Sequence, residues 1–212
     1  MIISYHNHEF FKVQFGDTIL AFNPISKDSK LKGARFGADV ALSSLNHKDF
    51  TGVENVTFGE RAPLAISGPG EYEVKGVFIR GFPVKTTYEK EDRIATLYLV
   101  NLEGMNLCFV GPIKTREFDK NITAALEEVD VLFVPIGGGD VLAPNEAYKL
   151  AVALEPKLII PMHYDEAGGK AALKAFFKEG GESEVKPVDK LTLKIKDLEG
   201  KEGEIVVLTP QI

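Results

Sequence analysis

Apolar and polar residues alternate through most of the first two-thirds of this chain, with the two-residue period of half-buried strands. Ile2–Tyr5, residues 10–15 and Thr18–Phe22 predict three strands, with Gly16-Asp17 as the tight turn between the second and third. Val40–Leu42 is wholly apolar and predicts a buried strand. Polar residues 43–49 end it and predict a loop turning into a helix. Short runs follow at 56–58 and Leu64–Ile66, then a Gly68-Pro69-Gly70 turn and strands at 71–74 and 77–82. Residues 86–93 read as a polar connection. Residues 95–102 and 105–110 predict a hairpin across Glu103-Gly104, so this part of the chain reads as largely antiparallel β.

After Gly111 the period changes. Phe118, Ile122, Ala125 and Leu126 stand at helical spacing and predict a helix within 115–129. Residues 130–135 and 158–161 predict two buried strands. Pro144–Leu154 predicts a helix, because proline suits the first turn and Glu146 adds early negative charge. Residues 171–179 predict another, stopped by Gly180-Gly181, and residues 191–195 and 204–208 predict a closing pair of strands. Strands alternating with helices imply right-handed crossovers. The whole reads as two mixed sheets packed together with helices outside, in one domain spanning residues 1–212.

Composition narrows the classes. The chain has 212 residues, 44% of them hydrophobic and 26% charged, which supports a self-sufficient core. The single cysteine, Cys108, excludes an intrachain disulfide and, set in an apolar run, reads as packing. The net charge of −6 disfavours nucleic acid as a partner, although an RNA role stays open. No apolar run is long enough for a membrane span, and no signal peptide is visible, so the expected location is the cytoplasm. A small-molecule ligand is the expected partner, and oligomeric state is not readable.

Candidate chemistry gathers at strand ends. His47 and Asp49 lie two residues apart on the loop after the Val40–Leu42 strand, and a His with a carboxylate there can bind a metal or move a proton. The plain alternative is a surface His beside a helix-capping Asp. His163 follows a buried strand, where a pocket should open. His6 and His8 fall in the first turn, where His6 is expected to be exposed. Gly137-Gly138-Gly139-Asp140 lacks the Lys-Ser/Thr of a P-loop and the spacing of a dinucleotide fingerprint, so it reads as a tight loop at a pocket rim. Glu71 reads as a turn or strand carboxylate and is the candidate replacement acid. No Gly-x-Ser-x-Gly nucleophile motif is present.

Several segments in order resemble the metallo-β-lactamase superfamily, in particular its small branch of uncharacterised zinc-dependent hydrolases related to L-ascorbate-6-phosphate lactonase. They are Asn7-His8-Glu9-Phe10-Phe11, Leu20-Ala21-Phe22-Asn23-Pro24, Gly68-Pro69-Gly70-Glu71, Val134-Pro135-Ile136-Gly137-Gly138 and Ile160-Pro161-Met162-His163-Tyr164. The resemblance covers nearly the whole chain. It implies a four-layer αββα sandwich with an active site at one edge, between the sheets.

The resemblance also implies where metal ligands would stand. The family's His-x-His-x-Asp-His falls on Leu45, His47, Asp49 and Phe50. Its mid-chain His falls near Thr86, its bridging Asp on Pro112 and its last His on His163. The Asp of its Leu-Ile-Asp-Pro segment is Asn23 here. Catalytic zinc usually takes three protein ligands and a water, and leucine and phenylalanine offer no lone pair. The metal motif is therefore degenerate. One expectation is a ligand- or partner-binding relative without metal, in which Leu45 and Phe50 fill the space where ions sat. Another is an active hydrolase of esters, lactones, β-lactams or phosphodiesters. It would hold one zinc ion, or manganese or iron, on His47, Asp49 and His163, with His8 as substrate contact or proton relay. Metal-free acid–base catalysis by His47, Asp49 and His163 is a third.

Overall fold

A computed structural model of the chain describes residues 1–60, 62–164 and 169–211. Two sheets form the middle of the molecule. The first contains β1 (Ile2–Tyr5), β2 (Phe11–Phe15), β3 (Thr18–Phe22), β4 (Val40–Leu42) and β5 (Leu64–Ile66). The second contains β6 (Gly70–Val74), β7 (Val77–Tyr88), β8 (Glu91–Leu102), β9 (Met105–Phe109), β10 (Val131–Pro135) and β11 (Leu158–Met162). Of the two short late strands, β12 (Leu191–Thr192) joins the first sheet beside β1 and β13 (Glu204–Ile205) joins the second beside β11. The expected closing pair is thus split, one strand to each sheet.

The alternating residues of each strand separate two environments. Leu20, Phe22, Val40 and Leu42 face the second sheet and join Phe109 and Phe133 in the main core, while Ala21 and Ala41 face the other way. That outer side is covered by Phe10, Ile25, Ala38 and Val56 from loops, with a short 3-10 turn at Val53–Asn55. Residues 56–58 form no strand, and loop 43–49 leads only to that turn. Among the described residues the α-helices are α1 (Lys120–Ala125), α2 (Pro144–Leu154) and α3 (Gly169–Glu179), and α2 packs on β10 and α3. The αββα sandwich holds, with a thin outer layer over the first sheet.

Two differences from the sequence reading bear on the site. β3, β4 and β5 pair in parallel, so the ends of β3 and β4 point the same way. β7 and β8 run for 12 residues each, through the stretch read as a polar connection. Polar Lys85, Thr87, Asp92 and Arg93 broke the apolar pattern there without breaking the ladder, which stays in register from Phe78↔Asn101 to Tyr88↔Glu91. Glu89 and Lys90 make the turn with positive φ at both positions, as a type I′ hairpin turn requires. Helix α1 is shorter than the 115–129 spacing suggested. No helix among the described residues is long and apolar enough to cross a membrane.

Candidate functional site

The segments that follow β1, β3, β4, β7, β10 and β11 meet at one edge of the sandwich. The β1–β2 turn is held by His6 N–H to the Phe10 carbonyl at 2.7 Å and Phe10 N–H to the Asn7 carbonyl at 2.8 Å. Asn7 and His8 both take positive φ, 83° and 57°. For a histidine this is strained backbone that persists only where its surroundings over-determine it. Here they do: the His8 carbonyl accepts the Tyr5 hydroxyl at 2.8 Å and the His163 N–H at 2.7 Å. The turn sends Glu9 inward, where it is fully buried.

His163 follows β11 and also has positive φ, 57°. It needs Gly137 beside it. A Cβ on Gly137 would lie 2.2 Å from the His163 carbonyl oxygen and 3.2 Å from its ring Cδ2. His163 Nδ1 lies 2.8 Å from Glu9 Oε1. Asn23, at the end of β3, donates from Nδ2 to Glu9 Oε2 at 2.9 Å. Ser44, after β4, donates to Asn23 Oδ1 from its backbone N–H at 2.7 Å and its hydroxyl at 2.8 Å. The His8 ring lies against that of His163, centroids 3.9 Å apart, and stacks on Phe50 at 5.3 Å.

Burial dominates the electrostatics here. It raises the Glu9 carboxyl above its usual range, opposed by the hydrogen bonds from His163 and Asn23. It pushes the His8 imidazole well below its ordinary value, and the positive forms of His163 and His47 push the same way. His8 is therefore a neutral ring near pH 7.

His47 sits more loosely. Its Nδ1 is 3.4 Å from Asp49 Oδ2, and its Nε2 is 3.3 Å from Glu89 Oε2 at the β7–β8 tip. Its ring approaches Tyr88 at 5.1 Å. The Ser29 hydroxyl donates to Asp49. Asp49 and His163 line one open cavity of about 630 Å³, with Tyr88, Glu89 and the 137–140 loop on its wall. The triple-glycine segment is thus a pocket rim, as its sequence suggested.

The other expected residues divide. Leu45 is buried and Phe50 is fully buried, Phe50 meeting Tyr88 edge-on at 5.3 Å. Thr86 donates its hydroxyl to the Pro112 carbonyl at 3.2 Å, so these two aligned positions meet. His6, expected to be exposed, is buried between Phe10 and Phe36, with Nδ1 2.8 Å from the Gln211 carbonyl. Phe36 arrives from a distant loop, which the local sequence does not reveal. Glu71 lies exposed on β6 beside Arg80 and takes no part. Sequence reasoning missed Glu9 and Glu89. A charged residue directly before Phe10-Phe11, and Asn23 closing an apolar run, were the available signals, since buried polar groups need partners.

The profile of the β-lactamase superfamily domain matches residues 2–163. The chain belongs to this superfamily. A UPF0173 metal-dependent hydrolase of Bacillus licheniformis is 26% identical over 196 residues, covering 77% of this chain and 85% of the relative. Another, from Listeria innocua, is 26% identical over 201 residues, covering 78% and 86%. A solved structure of a metallo-β-lactamase superfamily protein from Thermotoga maritima superposes with a TM-score of 0.77 at 27% identity, covering 99% of each chain.

Membership of the superfamily implies metal ions at this edge, and the donor chemistry is poor for them. Leu45 and Phe50 carry no lone pair, and Pro112 offers only its carbonyl, which Thr86 occupies. Among the described residues, no group of three His, Cys, Asp or Glu side chains is arranged to hold a metal ion. His47 meets Asp49, His163 meets Glu9, and Asp49 and His163 line the same cavity.

Proposed function

We propose that this chain is a single-domain β-lactamase-superfamily protein that binds a small organic ligand in the 630 Å³ cavity without a metal ion, its hydrolytic chemistry lost or impaired. The observation that carries this reading is Phe50. The family's last motif ligand is replaced by a fully buried ring packed on His8 and Tyr88, which offers no lone pair at that position. The test is elemental analysis of protein purified without a metal-affinity tag, before and after incubation with zinc, manganese or iron(II). The expected result is no stoichiometric ion, and a melting temperature that chelator leaves unchanged, because nothing binds the native state preferentially. A stoichiometric ion lost in His163→Ala overturns the reading.

A second reading, a metal-dependent hydrolase with one ion, has two supports. The Bacillus and Listeria relatives carry that name, and the Thermotoga maritima protein is assigned as a Zn-dependent hydrolase. A carboxylate on the far nitrogen of a histidine, as Glu9 is on His163, is also how metal-ligating imidazoles are commonly oriented. The same elemental analysis, followed by ester and lactone hydrolysis with and without chelator, decides between them.

A further inference from the structure

Hydrogen-bond direction can be traced through this site from one fixed point. The Ser44 backbone N–H can only donate, so the Asn23 atom it meets at 2.7 Å is the carbonyl oxygen. The Ser44 hydroxyl donates to the same atom. The other end of the Asn23 amide is then its NH2 group, and Glu9 Oε2, 2.9 Å away, must accept. That oxygen carries no proton. The remaining contact, Glu9 Oε1 to His163 Nδ1 at 2.8 Å, holds a single proton between carboxylate and imidazole.

We propose that Ser44, Asn23 and Glu9 form a polarised relay that places this proton on His163 Nδ1 and presents the Nε2 lone pair to the cavity. Glu9 and Asn23 are positioning residues that act through His163. The pair explains why asparagine stands at position 23: an aspartate there would set a second carboxylate against Glu9 and remove its donor. Gly137 completes the device by leaving room for the His163 carbonyl and ring. The ligand group received at His163 is then a hydrogen-bond donor, a hydroxyl or an amine, rather than a carboxylate or phosphate oxygen. This last step rests on the metal-free reading above, since an ion at Nε2 would take the lone pair.

The relay makes an unusual prediction about substitutions. In Glu9→Gln, the glutamine oxygen must accept from Asn23, so its NH2 faces His163 Nδ1 and the imidazole proton moves to Nε2. Adding Asn23→Asp moves the negative charge along the chain: the new carboxylate accepts from both Ser44 and the glutamine amide. The glutamine oxygen then faces His163, and the proton returns to Nδ1.

The experiment is two-bond ¹H–¹⁵N correlation spectroscopy at about pH 8, above the usual imidazole range, on chelator-treated protein labelled at its four histidines. Assignment uses single His→Phe variants. The expected tautomers at His163 are Nδ1–H in the wild type, Nε2–H in Glu9→Gln and Nδ1–H in Glu9→Gln/Asn23→Asp. A proton on Nε2 in the wild type overturns the relay, with no dependence on whether a variant folds. An unchanged tautomer in folded Glu9→Gln also overturns it. Elemental analysis of the untreated sample keeps the two failures apart: a bound ion sinks the metal-free reading, while the tautomer pattern after stripping judges the relay.

Discussion

His163 and His47 both act on the His8 ring and are held in opposite ways. His163 has a short contact to a carboxylate with no exposure to solvent, and that carboxylate is itself fixed by Asn23 and Ser44. The His47 ring has three polar contacts beyond 3.2 Å, to the Asp49 carboxylate, the Asp49 N–H and Glu89, whose side chain is 59% exposed on a hairpin tip. In water-exposed pairs side-chain entropy and screening consume most of the attraction, whereas a buried polar chain leaves orphaned groups wherever it is cut. The same residue type is therefore tied into a buried polar chain at one position and held by longer, partly exposed contacts at the other.

Substitutions can break this contrast or sharpen it. The largest effect is expected at Phe50, which touches both sides through His8 and His47. Phe50→Ala should cost about 3–5 kcal/mol, lowering the melting temperature by on the order of 10 °C. A shift of only a degree or two would mean that the ring is not an integral part of the core. Glu9→Ala comes next, at about 3 kcal/mol by chemical denaturation, because it strands the Asn23 amide and His163 Nδ1 together. If it costs no more than a surface change, the buried side of the comparison fails.

A pH series comes third. His6 and His8 are both lowered from the usual imidazole value, chiefly by burial. The unfolded chain takes up their protons near pH 6.5, while the fold resists until lower pH, so it is the unfolded state that binds more protons in between. Their contribution is complete above that value and is lost as pH falls through it. Glu9, raised, acts in the reverse sense: between its ordinary value of 4.5 and its folded one, the fold binds the extra proton, and stability falls as pH rises. Denaturation midpoints should therefore decline from pH 7.5 to 5.5, less steeply in His8→Phe. A variant slope equal to that of the wild type would remove His8 from the explanation. The smallest effect belongs to Glu89→Ala, under about 1 kcal/mol. A larger loss there would make the His47 side structural as well.

The fold was legible where burial follows sequence period. β1, β3, β4 and β5 and helix α2 appear with the bounds their apolar spacing predicts, because one face of each meets the core. The β7–β8 extension was illegible because its tip alternates among polar residues whose ladder bonds do not depend on side-chain type. The site was half legible for a related reason. His47, Asp49 and His163 announce themselves by chemistry after buried strands. Glu9 does not, since nothing near it in sequence supplies its partners. They arrive from positions 23 and 163: the antiparallel β2–β3 ladder, with Phe11 opposite Phe22, sets Asn23 beside Glu9, and the His163 N–H bonded to the His8 carbonyl brings in the second sheet.

Strand β1 lies one place in from the edge of its sheet, and its outer neighbour β12 pairs Ile2 with Thr192. During protein synthesis, β1 must wait for β12, made much later, before its outer edge is covered. The Gln211 N–H, bonded to the Tyr5 carbonyl, closes the same region later still. Throughout elongation the nascent chain carries an open edge able to pair with a neighbouring copy. Closure waits on the late segment, and its rate is set by the search that joins it to β1.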